Sequence, residues 1–141
     1  MAPVRKTPRI AKKIPRKGKP APDPDADLAQ RYPDWFALGV VAVPAGWTAL
    51  VDTLFEDLAA QLGKADRKAL QIAAVRERAG QLTVETYKAV PAAQKLIEAA
   101  GAASIRVCQS CGAAARRREF SGWSATLCTR CRKQWSAMRI G

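Results

Sequence analysis

Four cysteines near the C-terminus form two CxxC pairs, which 16 residues separate: Cys108, Cys111, Cys128 and Cys131. Two residues between thiolates allow one tight turn to direct both sulfurs at the same ion. Two such pairs about 15 to 20 residues apart are typical of a zinc site. Four thiolates complete the tetrahedral coordination of Zn²⁺ and leave no open position, so we expect one structural zinc ion here.

Two other uses of these cysteines are a pair of disulfides and a thiol-redox pair. Disulfides are disfavoured because no hydrophobic region follows the basic N-terminus, as a secretory signal would require. A redox pair is disfavoured because the surrounding sequence lacks the βαβ pattern of a thioredoxin-like fold. Zinc therefore remains the favoured interpretation.

The residues around the cysteines predict the elements that would position them. Residues 113–127 indicate a β-hairpin with Ser121 and Gly122 at its turn. The second cysteine pair opens an amphipathic stretch that indicates a helix. A turn that carries the first cysteine pair, which we call the knuckle, is thus followed by a hairpin and a helix. This order is the layout of a treble-clef zinc finger, and we expect that module over residues 106–141.

The chain of 141 residues is strongly basic, with 24 Lys and Arg against 12 Asp and Glu and a net charge of +12. Residues 1–20, 21–105 and 106–141 each hold eight cations, whereas their acids number none, eleven and one. The two ends are therefore cationic and the middle is slightly acidic. This distribution predicts polyanions or acidic protein surfaces as partners.

The chain contains no histidine. Ser-His-Asp and Cys-His nucleophile systems, His-Cys zinc deaminases, HExxH proteases and HNH nucleases all need an imidazole, so they are excluded. A metal-dependent nuclease would need carboxylates around an open metal site, and the acids here are scattered over the middle segment. We therefore expect a protein that is not an enzyme, and no small-molecule substrate is evident.

The cationic ends supply the candidate nucleic-acid-binding residues, because Lys and Arg neutralise phosphates and release condensed counterions. The alternative is a solubilising tail at one end and a solvated face at the other. We favour binding by fourteen residues: Arg5, Lys6, Arg9, Lys12, Lys13, Arg16, Lys17, Lys19, Arg116, Arg117, Arg118, Arg130, Arg132 and Lys133. For Trp123 and Trp135 we favour a place in the small core of the module over stacking on bases.

Composition divides the chain into three parts. Residues 1–27 alternate basic residues with prolines, which block helix propagation, so we expect a disordered arm. Residues 28–105 predict a small α+β domain, and residues 106–141 predict the zinc module. The whole is therefore an α+β protein with a basic N-terminal arm and a C-terminal four-cysteine module.

Within the middle part, residues 35–43 indicate a short buried strand, and a helix should start near Trp47. Leucines and other apolar residues then recur every three or four positions, and Gly63 fits the position just past the end of this helix. Residues 66–80 fit a helix with Asp66 as N-cap, but alternation equally fits a hairpin. A second helix should begin with Pro91 at its first position.

Several segments together resemble a family of small bacteriophage and prophage proteins: Gly46-Trp47, residues 75–87, and the ending CxxCG with Gly122-Trp-Ser-Ala-Thr-Leu-Cys128. The resemblance covers residues 44–131 and excludes the basic arm. It implies a hairpin over residues 70–87, although Ala79 replaces a usual aromatic residue and Thr83 a usual basic one. It also implies a phage or prophage context, with no particular biochemical activity.

These observations predict a zinc-stabilised, non-enzymatic accessory protein that binds DNA or RNA. The alternative is a phage-encoded adaptor or inhibitor that docks on an acidic host protein of the transcription or defence machinery. No apolar run approaches the about 18 to 20 residues of a membrane span. We expect a location in the cytoplasm of a bacterial host, with association with the virion as an alternative.

Overall fold

The computed structural model describes residues 24–36 and 39–140, and their side chains from residue 28 to residue 135. The predicted disordered arm lies outside this range up to residue 23, whereas its last four residues belong to the first helix. The helices and strands run in the following order: α1 Pro24–Arg31, β1 Val40–Ala42, a 3-10 turn Ala45–Trp47, α2 Thr48–Gln61, α3 Lys64–Ala69, β2 Ile72–Arg78, β3 Gln81–Thr86, α4 Pro91–Ser104, β4 Arg116–Phe120, β5 Trp123–Leu127 and α5 Thr129–Ile140. The predicted α+β class is confirmed.

We call residues 24–105 the body and residues 106–140 the module. The body contains a three-stranded sheet in the order β1-β2-β3, in which β1 runs parallel and β3 antiparallel to β2. The module contains the two-stranded antiparallel sheet of β4 and β5. Among the described residues, none of the helices combines the length and the apolar character needed to cross a bilayer.

Helix α2 forms the predicted amphipathic helix, because its apolar side chains repeat at the helical period and turn inward. Gly63 lies just past the end of this helix, as predicted, because α2 ends at Gln61 and Leu62 is its C-cap. With φ −68, Gly63 is also the N-cap of α3 and does not adopt the left-handed conformation common in helix-ending glycines. The chain turns between the two helices in extended backbone at Leu62 and Gly63.

The ambiguous segment 66–80 is divided between a short helix and a strand. Helix α3 begins at Lys64, so Asp66 lies within it and is not its N-cap. Strands β2 and β3 then form the hairpin that the resemblance implies. Ala79 (φ 51) and Gly80 (φ 82) form its two-residue turn, a connection that needs positive φ values.

Strand β1 is present, but it is an exposed edge strand and not the buried strand expected from its apolar residues. Val40 keeps 62% of its surface exposed, and Ala42 is also exposed. The strand pairs with β2 on one side, and nothing in the described sheet pairs with its other side. An apolar run of this length cannot by itself distinguish an edge strand from a central one.

Helix α4 begins with Pro91 in its first turn, as predicted, and continues past Gly101 to Ser104. One apolar core joins α1, α2, α4 and the sheet, with Trp47, Phe55 and Leu58 fully enclosed. A second, much smaller core lies in the module and consists of Ala125 and Leu127 together with two of the cysteines.

Candidate metal centre

Two turns carry the cysteine pairs, and both turns are fixed by adjoining strands and helices. Cys108 follows α4, in a segment held by a bridge between Val107 and Ala114. Cys128 follows β5, and Cys131 lies in the first turn of α5. The hairpin β4-β5 lies between the two pairs, so the predicted order of knuckle, hairpin and helix is present.

The four sulfur atoms gather at one point. All of them lie within 4.8 Å of one another, and the Sγ atoms of Cys111 and Cys128 are 3.7 Å apart. A tetrahedral Zn²⁺ with sulfur ligands at about 2.3 Å requires sulfurs about 3.8 Å apart. All four cysteines are free thiols without disulfide bonds. The cluster could therefore hold a metal ion in a closed four-sulfur site.

Backbone N–H groups also point at the sulfurs. The N–H of Cys111 donates to Sγ of Cys108 at 3.5 Å, and the N–H of Cys131 donates to Sγ of Cys128 at 3.4 Å. Such bonds favour the thiolate over the thiol, because they stabilise negative charge on sulfur. The same contact recurs in both pairs, so each CxxC turn has the same local geometry.

The cysteines differ in acidity. Burial raises the pKa of Cys108, but backbone hydrogen bonds from Cys128, Cys111 and Ser110 outweigh it and lower that pKa to about 6. A backbone hydrogen bond from Cys131 lowers the pKa of Cys128. A side-chain hydrogen bond from Ser110 lowers the pKa of Cys131, but burial and the neighbouring sulfurs outweigh it and raise that pKa to about 11. Negative charge is therefore distributed unevenly over the four sulfur atoms, and a bound cation would neutralise part of it.

The first knuckle rests directly on the body. The N–H of Gly46 donates to the carbonyl of Gln109 at 2.9 Å, and Nε1 of the fully buried Trp47 donates to the carbonyl of Val107 at 2.8 Å. A Cβ atom at Gly46 would come within 2.1 Å of the carbonyl oxygen of Cys108. Glycine is thus required at position 46 for this close approach of two backbones. Gly46 and Trp47 together fasten the first cysteine turn to the body.

The module hairpin also rests on the body, at the turn between β2 and β3. The buried hydroxyl of Thr126 donates to the carbonyl of Gly80 at 2.6 Å. Within the module, the N–H of Thr126 donates to Oε1 of Gln109 at 2.9 Å, which ties the hairpin to the first cysteine turn. A Cβ at Gly80 would meet the backbone of Ala125 at 2.9 Å. The cysteine cluster therefore lies in a unit that is joined to the body by buried contacts.

The three consecutive arginines of β4 are divided between two faces of the hairpin, because strand side chains alternate. Arg116 and Arg118 pair with Leu127 and Ala125 and share the face of the small core. Arg117 lies on the other face, and its Nε donates to the carbonyl of Ala79 at 2.6 Å. All three are exposed. The structure thus places two of these three predicted binding residues on one face and the third at the joint with the body.

Three stacked aromatic rings include Phe120 and Trp123, which share the hairpin face of Arg116 and Arg118. Phe120 stacks on Trp123 with centroids 4.8 Å apart, and Trp123 stacks on Trp135 at 5.6 Å. All three are half-buried and pack against the small core. The expectation that the tryptophans belong to the core of the module agrees with this packing, although part of each ring stays accessible.

The basic residues of α5 are placed differently from one another. A hydrogen bond to the sulfur of Cys111 raises the pKa of Arg130 above its ordinary value, so this guanidinium adjoins the cluster. Arg132 is half-buried, and Lys133 is exposed. The eight predicted cations of the arm, Arg5 to Lys19, lie outside the described residues.

Sequence reasoning missed a second cationic feature, in the body. A cleft of about 720 Å³ is lined by Arg31, Lys64, Arg67 and Lys68, beside the aromatic rings of Tyr32 and Trp35. The middle of the sequence has no net positive charge, so its composition gave no indication of a local basic surface. The only available signal was the pattern of cations at positions 64, 67 and 68, which helical spacing places on one side of α3.

Comparison with known proteins adds no family assignment: no protein-family model matches the chain, and no significant match exists among curated proteins or solved structures.

Proposed function

We propose that the protein is a non-enzymatic, zinc-stabilised accessory protein that binds nucleic acid through its cationic module and arm. The metal is Zn²⁺, because four thiolates form a soft ligand set and a closed tetrahedral site suits a structural ion. Such an arrangement of knuckle, hairpin and helix corresponds to a treble-clef-like module. With the cysteines as sole ligands, the metal has a structural role and no open position for chemistry.

One observation carries the nucleic-acid proposal: Arg116 and Arg118 are exposed on the face that also bears the aromatic stack. Arginine binds phosphate bidentately, and an aromatic edge beside it can contact a base or sugar. Glu119 is the only acid between residues 106 and 141, so little local negative charge opposes a phosphate backbone. Lys133 adds a further exposed cation on α5.

Gel shifts on duplex and single-stranded DNA and RNA test the proposal. We expect binding that weakens strongly between about 50 mM and about 200 mM salt, because phosphate contacts release counterions. Deletion of residues 2–20 should weaken binding on every sequence and reduce the salt dependence. The Arg116→Ala, Arg118→Ala double variant should weaken it further while retaining its metal.

The same gel shifts distinguish the second candidate function, an adaptor that docks on an acidic host protein. If no complex with nucleic acid forms at either salt concentration, the adaptor function is favoured, since both functions use the same cationic surfaces. The phage or prophage origin is part of the proposal and is supported by the resemblance over residues 44–131. A location in the bacterial cytoplasm or in the virion would follow from that origin.

A further inference from the structure

The basic cleft of the body is a second candidate binding site, on different elements from the metal centre. It lies between the segment that follows α1, the end of α2, and the short helix α3. Its volume of about 720 Å³ is within the about 300 to 1,000 Å³ usual for sites that take small ligands.

Hydrogen bonds between distant segments hold the walls of the cleft together. Nε1 of the buried Trp35 donates to the carbonyl of Arg67 at 2.9 Å, which ties the loop after α1 to α3. Nε2 of Gln71 donates to the carbonyl of Asp34 at 2.7 Å, and the N–H of Ile72 donates to the carbonyl of Trp35 at 2.8 Å. The concave shape is therefore part of the fold of the body and does not depend on a partner.

Two of the four cations are already positioned by the protein. Arg31 donates to Asp52 at 2.6 Å, and its guanidinium lies 5.5 Å from the ring centroid of Tyr32. The Tyr32 ring in turn stacks on Trp35 with centroids 5.2 Å apart. Arg67 donates from Nη1 to the carbonyl of Ala59 at 3.3 Å. Positioned guanidinium groups lose little side-chain freedom when they bind an anion.

The other two cations are lysines on one side of α3. Lys64 and Lys68 are four residues apart, both are exposed, and both line the cleft. Asp34 is the one acid among the lining residues, and Asp52 next to the cleft pairs with Arg31, so the four cations still exceed the two acids. A concave surface with an excess of one charge focuses its field and concentrates small ions of the opposite sign.

We propose that this cleft binds the phosphate groups of a nucleotide-sized ligand. Two guanidinium groups and two ammonium groups match the several negative oxygens of a phosphate or diphosphate. The phosphate could come from a free nucleotide or from a bound nucleic-acid strand, and the experiment distinguishes these sources. The proposal does not depend on the function of the module.

Nuclear magnetic resonance of the ¹⁵N-labelled metal-bound protein tests it through the tryptophan indole signals. The probes are ADP, pyrophosphate, adenosine, and a single-stranded oligonucleotide of about eight nucleotides. Trp35 adjoins the cleft through Arg67, whereas Trp47 bonds to Val107 and serves as an internal reference. The Trp35→Phe variant assigns its signal.

We expect ADP and pyrophosphate to shift the Trp35 signal with half-saturation below about 1 mM, and adenosine to leave it unchanged. Lys68→Glu should weaken this binding about tenfold or more, since a charge-assisted contact becomes a repulsive one. Lys95→Glu is the matched control, because Lys95 is an exposed lysine of α4 outside the cleft. Its effect should stay within about twofold, the part due to overall charge.

The two sources of phosphate give different patterns. A shift of Trp35 with ADP assigns a free nucleotide, whereas a Lys68-dependent shift with the oligonucleotide alone assigns a strand. The proposal is overturned if no phosphate probe moves Trp35, or if Lys68→Glu and Lys95→Glu weaken binding equally. It is also overturned if only Trp123 and Trp135 respond, since the anion would then occupy the module.

Discussion

The body and the module differ in how much apolar side-chain surface holds them together. Among the side chains that the structure describes, eighteen buried apolar residues form the core of the body, including the fully enclosed Trp47 and Phe55. In the module, whose described side chains end at residue 135, four buried residues form the core, and two of them are the cysteines Cys108 and Cys131. Side-chain burial can stabilise the body, whereas we expect the module to depend on the cross-link that a metal ion in its cysteine cluster would supply.

The joint between these regions is made of backbone contacts and buried hydrogen bonds, at Gly46, Trp47, Gly80 and Thr126. A flexible linker alone could have connected the module to the body. Instead, the first cysteine turn and the hairpin both pack on the body, so strand β4, which bears the arginines, is held in place. The predicted boundary between residues 105 and 106 therefore separates two cores that are in direct contact.

Metal removal should have the largest effect and should separate the two regions. Excess chelator, or Cys128→Ser, should unfold the module, because structural zinc contributes an apparent ~10 to 16 kcal/mol in finger peptides. The indole signals of Trp123 and Trp135 should collapse while that of Trp35 stays dispersed. Thr129→Ala is the control, because it changes an exposed residue that lies between the two cysteines of the second pair. Unchanged melting of Cys128→Ser would show that the cluster holds no structural metal.

Truncation of a core residue of the body should have the opposite effect: the body should lose stability while the module keeps its metal. Leu58→Ala removes a fully buried side chain of α2 and should cost about 2 to 5 kcal/mol in urea unfolding. Elemental analysis should still find one Zn²⁺ per chain under native conditions. Leu50→Ala on the same helix is the matched control, since Leu50 is only partly buried and its loss should cost less. Loss of metal from Leu58→Ala would contradict the division into two independently stabilised cores.

Gly46→Ala tests the joint. Its Cβ would come within 2.1 Å of the backbone of Cys108, so one region must shift relative to the other. We expect a loss of about 1 to 3 kcal/mol, as overpacking usually costs, and a change in the indole signal of Trp47. Gly63→Ala is the control, because nothing lies within 4 Å of its Cβ position and φ is negative. Equal melting of the two variants would show that the regions are not in close contact.

The smallest effect concerns the ion pairs of Glu85 on the sheet of the body. A hydrogen bond from Arg76, aided by Arg78, outweighs desolvation and lowers the pKa of Glu85. A lowered folded-state pKa adds stability above the ordinary value of 4.5, and this stability disappears as pH falls through the folded-state value.

Glu85→Gln should therefore lower the melting temperature slightly at about pH 7, and this difference should shrink as the pH falls toward about 3. Acidic pH would release a cysteine-bound metal from the wild type and the variant alike, so the difference between them reports Glu85. Glu98→Gln, at an exposed carboxylate of α4, is the control and should behave as the wild type does at both pH values. A difference that persists at acidic pH would show that the glutamate acts through packing and not through charge.

Local signals in the sequence predicted the metal cluster, the hairpin turn at Gly122, and Pro91 in the first turn of α4, because each depends on residues close together in the chain. The exposure of β1 depends on which strand pairs beside it, and the basic cleft depends on α1, α2 and α3 coming together. Position in a sheet and convergence of distant cations are tertiary properties. The sequence could have predicted that Arg117 lies on the opposite face from Arg116 and Arg118, since side chains alternate along the predicted hairpin.

Salt-dependent binding to a labelled DNA duplex, measured by fluorescence anisotropy, tests the central claim most directly. If about six cations meet phosphates, log K should fall with log salt at a slope near −5. Arg116→Ala with Arg118→Ala should weaken binding and flatten that slope, whereas Lys88→Ala with Lys95→Ala, two exposed lysines of the body, should change it little. An affinity weaker than about 1 mM at low salt, or equal effects of the two double variants, would contradict nucleic-acid binding by the module.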